Sequence, residues 1–228
     1  MAEAASNTQR DSTSACLHCG AQSGRAHFCA VCGKIQPVAA AVDYFSFFDL
    51  PRKLRLDEAE LEKSFYALSR QFHPDYFMGA GAEERQASVE RSSMLNDAYR
   101  TLRNQVTRAK YLLALEGYKE AEKKAPPDLL EEVFELNMQI EELRAAKKSG
   151  DEDEAAEARS PIEEALTDLH KKLSGIDEQL FALFGDWDSA LDRDATPDEK
   201  KPLLHRMSDL LSHRSYIRNL VRDIKEEL

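Results

Sequence analysis

Leu61, Phe65, Leu68 and Phe72 recur at steps of four, three and four, which places them on one face of a helix. Asp57 ahead of this run and Glu60 three residues later read as an N-cap with its capping box. Pro74 lacks an amide hydrogen and disfavours helical geometry in the residue before it, so the helix stops at His73. A loop through Gly79 and Gly81 leads to a second helical pattern, with Ser88, Arg91, Leu95, Ala98 and Leu102 along its inner face. Together they predict an antiparallel hairpin whose tip carries His73, Pro74 and Asp75. Upstream, the aromatic cluster from Asp43 to Pro51 suits a short first helix packed under the hairpin. Downstream, Arg108, Ala109, Leu112 and Leu113 predict a further helical segment, ended by Gly117 at the C′ position.

Residues 119–127 are charged and end in Pro126-Pro127, which predicts a hinge. Asp128 then caps a helix, with Glu131 at the matching third position. This helix carries two apolar stripes. Leu129, Val133, Leu136, Ile140 and Leu143 keep heptad-like steps and form an inner face. Leu130, Phe134 and Met138 lie off that face by roughly 100–180° at about 100° per residue. A helix of a three-helix bundle buries only one stripe. The second is therefore either packed against the hairpin domain or exposed as a docking surface. Lys147 to Arg159 reads as a solvated connector or helix extension. Ser160, Pro161 and Glu163 mark the next helix start, followed by Ile162, Leu166, Leu169, Leu173, Ile176, Leu180 and Leu183. Gly185 to Thr196 reads as an acidic connection with Trp187 as an anchor. Pro202 breaks the start of the last helix, whose inner stripe is Leu204, Met207, Leu211, Ile217, Val221, Ile224 and Leu228. Three long antiparallel stripes predict a three-helix bundle, and the fold class is all-α.

All four cysteines fall in two pairs, Cys16-Leu17-His18-Cys19-Gly20 and Cys29-Ala30-Val31-Cys32-Gly33. Two residues between thiolates let one tight turn aim both sulfurs at one metal, and the following Gly takes the positive φ on which such a turn ends. Two such knuckles complete a tetrahedral four-sulfur site matched to zinc, with iron as the alternative. Paired disulfides or four inert thiols are the competing readings, but no βαβ pattern surrounds these pairs. A closed four-cysteine site leaves no open position for substrate, so its role is structural or adaptor-like. His18 and His27 read as exposed bystanders. His170, His205 and His213 read as plain surface histidines.

Aromatics make up 8% and charged residues 32% of the chain, a mixture suited to helical bundles. No apolar stretch of about 18 residues predicts a membrane span, and the first fifteen residues lack a secretory h-region. The formal charge of −11 is uneven: +1 over 1–42, −1 over 43–118 and −11 over 119–228. A phosphate-tracking surface needs the opposite sign, which disfavours nucleic acid as a partner. The expected organisation is a disordered leader over 1–15, the metal module over 16–36, the hairpin domain over 43–118 and the helical bundle over 128–228.

The hairpin with His-Pro-Asp at its tip resembles the J-domain of DnaJ-type co-chaperones. Asp43-Tyr-Phe-Ser-Phe-Phe-Asp-Leu, Phe72-His-Pro-Asp, Leu95-Asn-Asp-Ala-Tyr-Arg-Thr-Leu and Arg108-Ala-Lys-Tyr-Leu-Leu-Ala-Leu-Glu-Gly resemble the HscB family, the J-proteins of iron–sulfur cluster assembly. The four-cysteine module resembles the one preceding the J-domain in eukaryotic-type members. The resemblance runs from about Cys16 to Glu142 and resumes near the C-terminus; between Met138 and Tyr216 the chain is longer than compact members. It implies a non-enzymatic co-chaperone that stimulates a DnaK/HscA-class chaperone ATPase and brings it the iron–sulfur cluster scaffold protein. His73, Pro74 and Asp75 match the stimulatory loop, and Lys63 and Arg70 are assigned to the chaperone's acidic surface. The implied scaffold patch lies near Leu130, Val133 and Phe134, extended by Met138, Glu131, Glu135 and, on the last helix, Tyr216. The expected location is cytoplasmic, or the mitochondrial matrix in a eukaryotic source.

No phosphate-binding Gly-Lys loop, dinucleotide fingerprint, His-Glu-x-x-His or Gly-x-Ser-x-Gly occurs. The alternatives from other classes are a metal-binding interaction module with an oligomerising helical domain, and a redox-active dithiol protein.

Overall fold

The computed structural model describes residues 15–39, 42–118 and 129–228. Among the described residues lie seven α-helices, one 3-10 turn and no strand. The helices are α1 (Tyr44–Phe47), α2 (Glu58–Phe72), α3 (Ala82–Arg103), α4 (Gln105–Leu115), α5 (Leu130–Ser149), α6 (Glu152–Asp192) and α7 (Pro197–Glu227); the 3-10 turn spans Pro74–Phe77. The expected Asp128 cap and the hinge over 119–127 lie outside the described residues. By contacts the chain divides into two compact units. One runs to Arg52 and resumes over Leu56–Asn104; the other takes Lys53–Arg55 and Gln105–Leu228. The four-cysteine segment thus shares a unit with the hairpin, while α4 belongs with the long helices.

In the first unit, Asp43 caps α1. Its carboxylate accepts from the amides of Phe45 and Ser46, and the Asp43 amide donates back to the Ser46 hydroxyl at 3.0 Å. This short helix buries Phe45 and Phe47. Asp57 caps α2 by accepting from the amides of Ala59 and Glu60. The reciprocal bond expected from Glu60 is not made. Its carboxylate turns instead to Lys63 Nζ at 3.3 Å, a one-turn ion pair that competes for it in an exposed first turn. Leu61 and Phe72 of α2 and Ser88, Arg91, Leu95, Ala98 and Leu102 of α3 are buried, as the stripes predict. Phe65 stacks on Tyr99 with ring centroids 4.2 Å apart, and Ser88 Oγ donates to the Phe72 carbonyl at 2.6 Å. These pairings make the hairpin antiparallel.

In the second unit α6 is the spine, packing along both α5 and α7. Leu129, Leu136, Ile140 and Leu143 join Ile162, Leu169, Ile217, Val221 and Ile224 in one apolar cluster. A second cluster gathers around Trp187 from α4, the later part of α6, the earlier part of α7, and Leu54. Each fully buried side chain of this size contributes about 1.5–3 kcal/mol.

Three expected boundaries are corrected. α6 begins at Glu152, capped by Asp151, and runs 41 residues straight through Pro161. Pro161 removes one amide–carbonyl bond, to the carbonyl of Glu157, an exposed residue where water substitutes. Gly185 and Trp187 lie inside α6, not in a connection. Gly185 is tolerated because the Arg55 guanidinium lies over it; a Cβ there would sit 2.7 Å from Arg55 Nη2. The true connection is Arg193 to Thr196, which carries Asp194 at φ +51°. Thr196 caps α7 in a capping box with Glu199, Pro197 takes the first helical position, and Pro202 lies within the helix. The extra length between Met138 and Tyr216 has gone into helix.

No helix among the described residues is long and apolar enough to cross a membrane.

Candidate functional site

The tip of the hairpin is built by what Pro74 cannot do. Without an amide hydrogen it ends α2, and His73 leaves helical geometry at φ −57°, ψ 124°. Asp75 N–H then donates to His73 Nδ1 at 3.4 Å, so the ring proton rests on the outward Nε2. Both side chains face solvent, 53% exposed for His73 and 77% for Asp75. A donor and an acceptor are thus displayed together, their backbone fixed by the proline and the short 3-10 turn. Lys63 and Arg70 are exposed on α2, and Tyr76 and Met78 are exposed just beyond the tip. Those last two apolar side chains carried no periodic signal, because they stand outside either helix.

The two cysteine pairs fold as near-repeats of one turn. Cys16 N–H donates to Ala21 O and Gly20 N–H to Cys16 O; Cys29 N–H donates to Lys34 O and Gly33 N–H to Cys29 O. Gly20 and Gly33 take φ +73° and +68°, the left-handed geometry the sequence implied. All four sulfurs lie within 4.8 Å of one another, with Cys16 and Cys32 at 3.7 Å and Cys19 and Cys29 at 3.6 Å. A tetrahedral zinc with bonds of about 2.3 Å requires sulfurs about 3.8 Å apart, so the donor set fits a metal. The Cys19 amide, followed by that of His18, holds the Cys16 thiol down at about 6. The Cys32 and Val31 amides likewise hold Cys29 below its ordinary value. The Lys34 amide favours the Cys32 thiolate, but burial and the neighbouring thiols outweigh it and push Cys32 up to about 12. Four thiols so close cannot all ionise without a counter-cation.

His18 is exposed, as expected. His27 is not, and that reading is corrected. Its ring lies 4.9 Å from both Phe47 and Phe72, and its Nδ1 faces the Arg91 guanidinium. Burial first, then the Arg91 charge, holds His27 down at about 4, so it is neutral. Arg91 is the larger omission. It is 3% exposed, and its fork donates to the carbonyls of Gln36, Pro37 and Ala26. Gln36 Nε2 in turn donates to Cys16 Sγ at 3.4 Å. The one available signal was a basic residue on the inner stripe of α3.

On α5, Leu130, Phe134 and Met138 are 55%, 66% and 53% exposed. Glu131 and Glu135 flank them in the open, while Val133 packs partly into the bundle. Tyr216 packs partly into the same cluster and also lines a groove of about 330 Å³ with Val106, Lys110 and Leu211. It is half-buried, not displayed like Phe134. His170 and His205 are exposed; His205 lies edge-on to Tyr118 at 5.1 Å.

No family model matches the chain. It is similar to the iron-sulfur cluster co-chaperone protein HscB of Mus musculus, 34% identical over 137 residues, covering 57% of this chain and 58% of that protein. It is similar also to the HscB homolog of Arabidopsis thaliana, 33% identical over 158 residues, covering 68% and 60%. The chain thus spans about three fifths of the length of these curated relatives. Among solved structures, human co-chaperone protein HscB matches with a TM-score of 0.61 at 26% identity, over 94% of this chain and 98% of that one. Chaperone HscB from Vibrio cholerae, at 24% identity and a TM-score of 0.51, covers 81% of this chain and 96% of its own and agrees in fold.

Proposed function

Because the chain belongs to the HscB family, we propose that it is a non-enzymatic co-chaperone that stimulates a DnaK-class ATPase and delivers an iron–sulfur cluster scaffold protein to it. The observation that carries this reading is the exposed imidazole and carboxylate of His73 and Asp75, set by Pro74 at a helix end. Hydrolysis takes place in the partner, so this chain supplies geometry and no nucleophile. His73 Nε2–H donates and the Asp75 carboxylate accepts at the chaperone surface. Their fixed backbone lowers the ordering cost of docking. Lys63 and Arg70 add positive charge on the approach face of α2 and act mainly on association rate.

The cargo surface is the open stripe Leu130, Phe134 and Met138, with Glu131 and Glu135 meeting basic groups of the scaffold and Val133 and Tyr216 supporting it. The cluster itself is cargo. Cys16, Cys19, Cys29 and Cys32 hold a resident zinc, with iron as the alternative, and that ion closes a segment too short for a core of its own. The protein works in the cytoplasm, or in the mitochondrial matrix of a eukaryotic cell, and needs neither nucleic acid nor membrane.

The test is stimulated ATP turnover by the matching chaperone. His73→Gln is expected to abolish stimulation with unchanged helicity. Normal stimulation by a folded His73→Gln protein rejects the proposal.

A further inference from the structure

The four-sulfur cluster does not stand apart from the tip. The Cys16 sulfur accepts from Gln36 Nε2, and the Gln36 carbonyl accepts from Arg91 Nε. Arg91 also donates to His27 Nδ1 and to the carbonyls of Ala26 and Pro37. His27 packs against Phe72, as does Phe28 at 5.9 Å, and the Arg91 guanidinium lies 5.8 Å from the Phe72 ring centre. Phe72 is the last residue of α2, directly before His73, and its carbonyl is gripped by the hydroxyls of Ser88 and Ser92, which flank Arg91 on α3. Residues of the cysteine module therefore form the floor under the end of α2.

Resting on the co-chaperone reading, we propose that Arg91 is a positioning residue through which the metal-closed cysteine module holds the His73-Pro74-Asp75 tip in its docking geometry. Its guanidinium is buried and hydrogen-bonded to neutral acceptors, with the Glu90 carboxylate acting on it only through space. Those acceptors belong to backbone that has no core of its own and is shaped by closure of the four sulfurs. When closure is lost, the carbonyls of Ala26, Gln36 and Pro37 are no longer fixed. A buried charge is then left without its partners, which no fold tolerates cheaply. The response is movement of Arg91 and of the Phe72 packing it supports, and the tip follows because Phe72 is its anchor. A metal that touches neither chaperone nor cargo thereby sets how well the tip docks.

The experiment compares the full chain loaded with zinc and the same chain stripped by chelator under reducing conditions, as wild type and as Arg91→Met. Two quantities are read: amide hydrogen exchange over residues 73–78, and the concentration giving half-maximal stimulation of the chaperone. Stripping the wild type is expected to speed tip exchange and raise that concentration by about tenfold, with maximal stimulation retained and exchange in α5–α7 unchanged. Arg91→Met is expected to keep its metal, since all four sulfurs remain, and to show the same change already when loaded. Stripping the variant should then add nothing, the signature of one shared path. Unchanged tip exchange in stripped wild type overturns the proposal. So does a variant in which stripping still adds the full increment, because the metal then acts by another route. Should Arg91→Met fail to fold, the wild-type pair alone decides on the same criterion. Should no form stimulate the chaperone, the co-chaperone reading falls while the exchange arm still judges the strut.

Discussion

A guanidinium buried without a carboxylate in hydrogen-bond contact survives only where neutral oxygens and nitrogens take the place of water, and Arg91 meets that condition. Burial lowers it to about 10, so it keeps its charge at neutral pH. Lys at the same position would keep the charge and lose the planar fork that reaches several acceptors at once. Asp43 illustrates the opposite sign. Partial burial favours its neutral form, but the Ser46 amide, the Arg52 guanidinium and the Phe45 amide outweigh that and hold its carboxyl below the usual range. The unfolded chain therefore binds the proton more readily, and stability from Asp43 is present above its ordinary value and lost as pH falls through the depressed folded value. Asp43→Ala is expected to destabilise the first unit by about 1–2 kcal/mol at neutral pH. The gap to wild type should begin to narrow below about pH 4, where the unfolded chain takes up the proton, and close only at lower pH as the folded carboxyl is protonated too; amide exchange in α1 and α3 at neutral and acid pH measures it, and a gap independent of pH would assign the effect to packing. At this scale the sequence was half legible. Ser88 and Arg91 stood on the inner stripe, and a polar stripe position announces a buried partner. The partners themselves were hidden, since Arg91 meets Gln36 and His27 at separations of 55 and 64 residues, beyond any periodicity.

In the long helices α6 and α7 the faces obeyed the pattern and the ends did not, because a face is decided by many residues and an end by one. The stripes of α5, α6 and α7 bury where their spacing predicts. Pro161 read as a helix start, Gly185 as the opening of a connection and Pro202 as a break, and each sits inside a helix whose packing overrides its local preference. The signal at Thr196-Pro197-Asp198-Glu199, a capping box with proline at the first position, pointed to the true start of α7. Pro161→Ala restores the lost bond, and the second unit is expected to gain about 1–2 kcal/mol, less than a full interior proline penalty because the unfolded chain also becomes freer. The single tryptophan, buried Trp187, reports this as a higher urea midpoint; a lower one would mean that the proline sets a bend the packing needs. Asp188 presents the reverse case, an acid that no stripe could flag. Its two oxygens accept from the amides of Leu54 and Arg55 at 2.7 and 2.9 Å, pinning that strand of chain onto α6. Asp188→Ala leaves two amides unmet and is expected to cost about 2–4 kcal/mol by the same fluorescence titration. Asp188→Asn keeps one acceptor and should cost clearly less. Equal losses would show that charge, not acceptor count, matters there.

Across the whole chain the negative charge is unevenly spread. The first unit carries the tip and the four-cysteine cluster, and residues 1–118 are neutral overall, while the last 110 residues carry the net charge of −11. An acidic surface with an open Leu130, Phe134 and Met138 row suits a partner that is basic around an apolar centre. Like-charged chains are repelled and unfilled apolar area is covered together only by a complementary face. Aromatic side chains at the middle of such a patch carry a disproportionate share of affinity. Phe134 is the most exposed of the three and holds the central position. Phe134→Ala is expected to weaken scaffold binding by about thirtyfold, equivalent to about 2 kcal/mol, through faster dissociation. Glu131→Gln with Glu135→Gln should instead slow association and flatten its salt dependence. In neither variant should stimulation of the chaperone without scaffold change, because His73, Pro74 and Asp75 belong to the other unit. Binding kinetics on the immobilised scaffold separate the two effects. Unaltered dissociation from Phe134→Ala would place the cargo on another face, and the groove beside Tyr216 would be the next surface to vary.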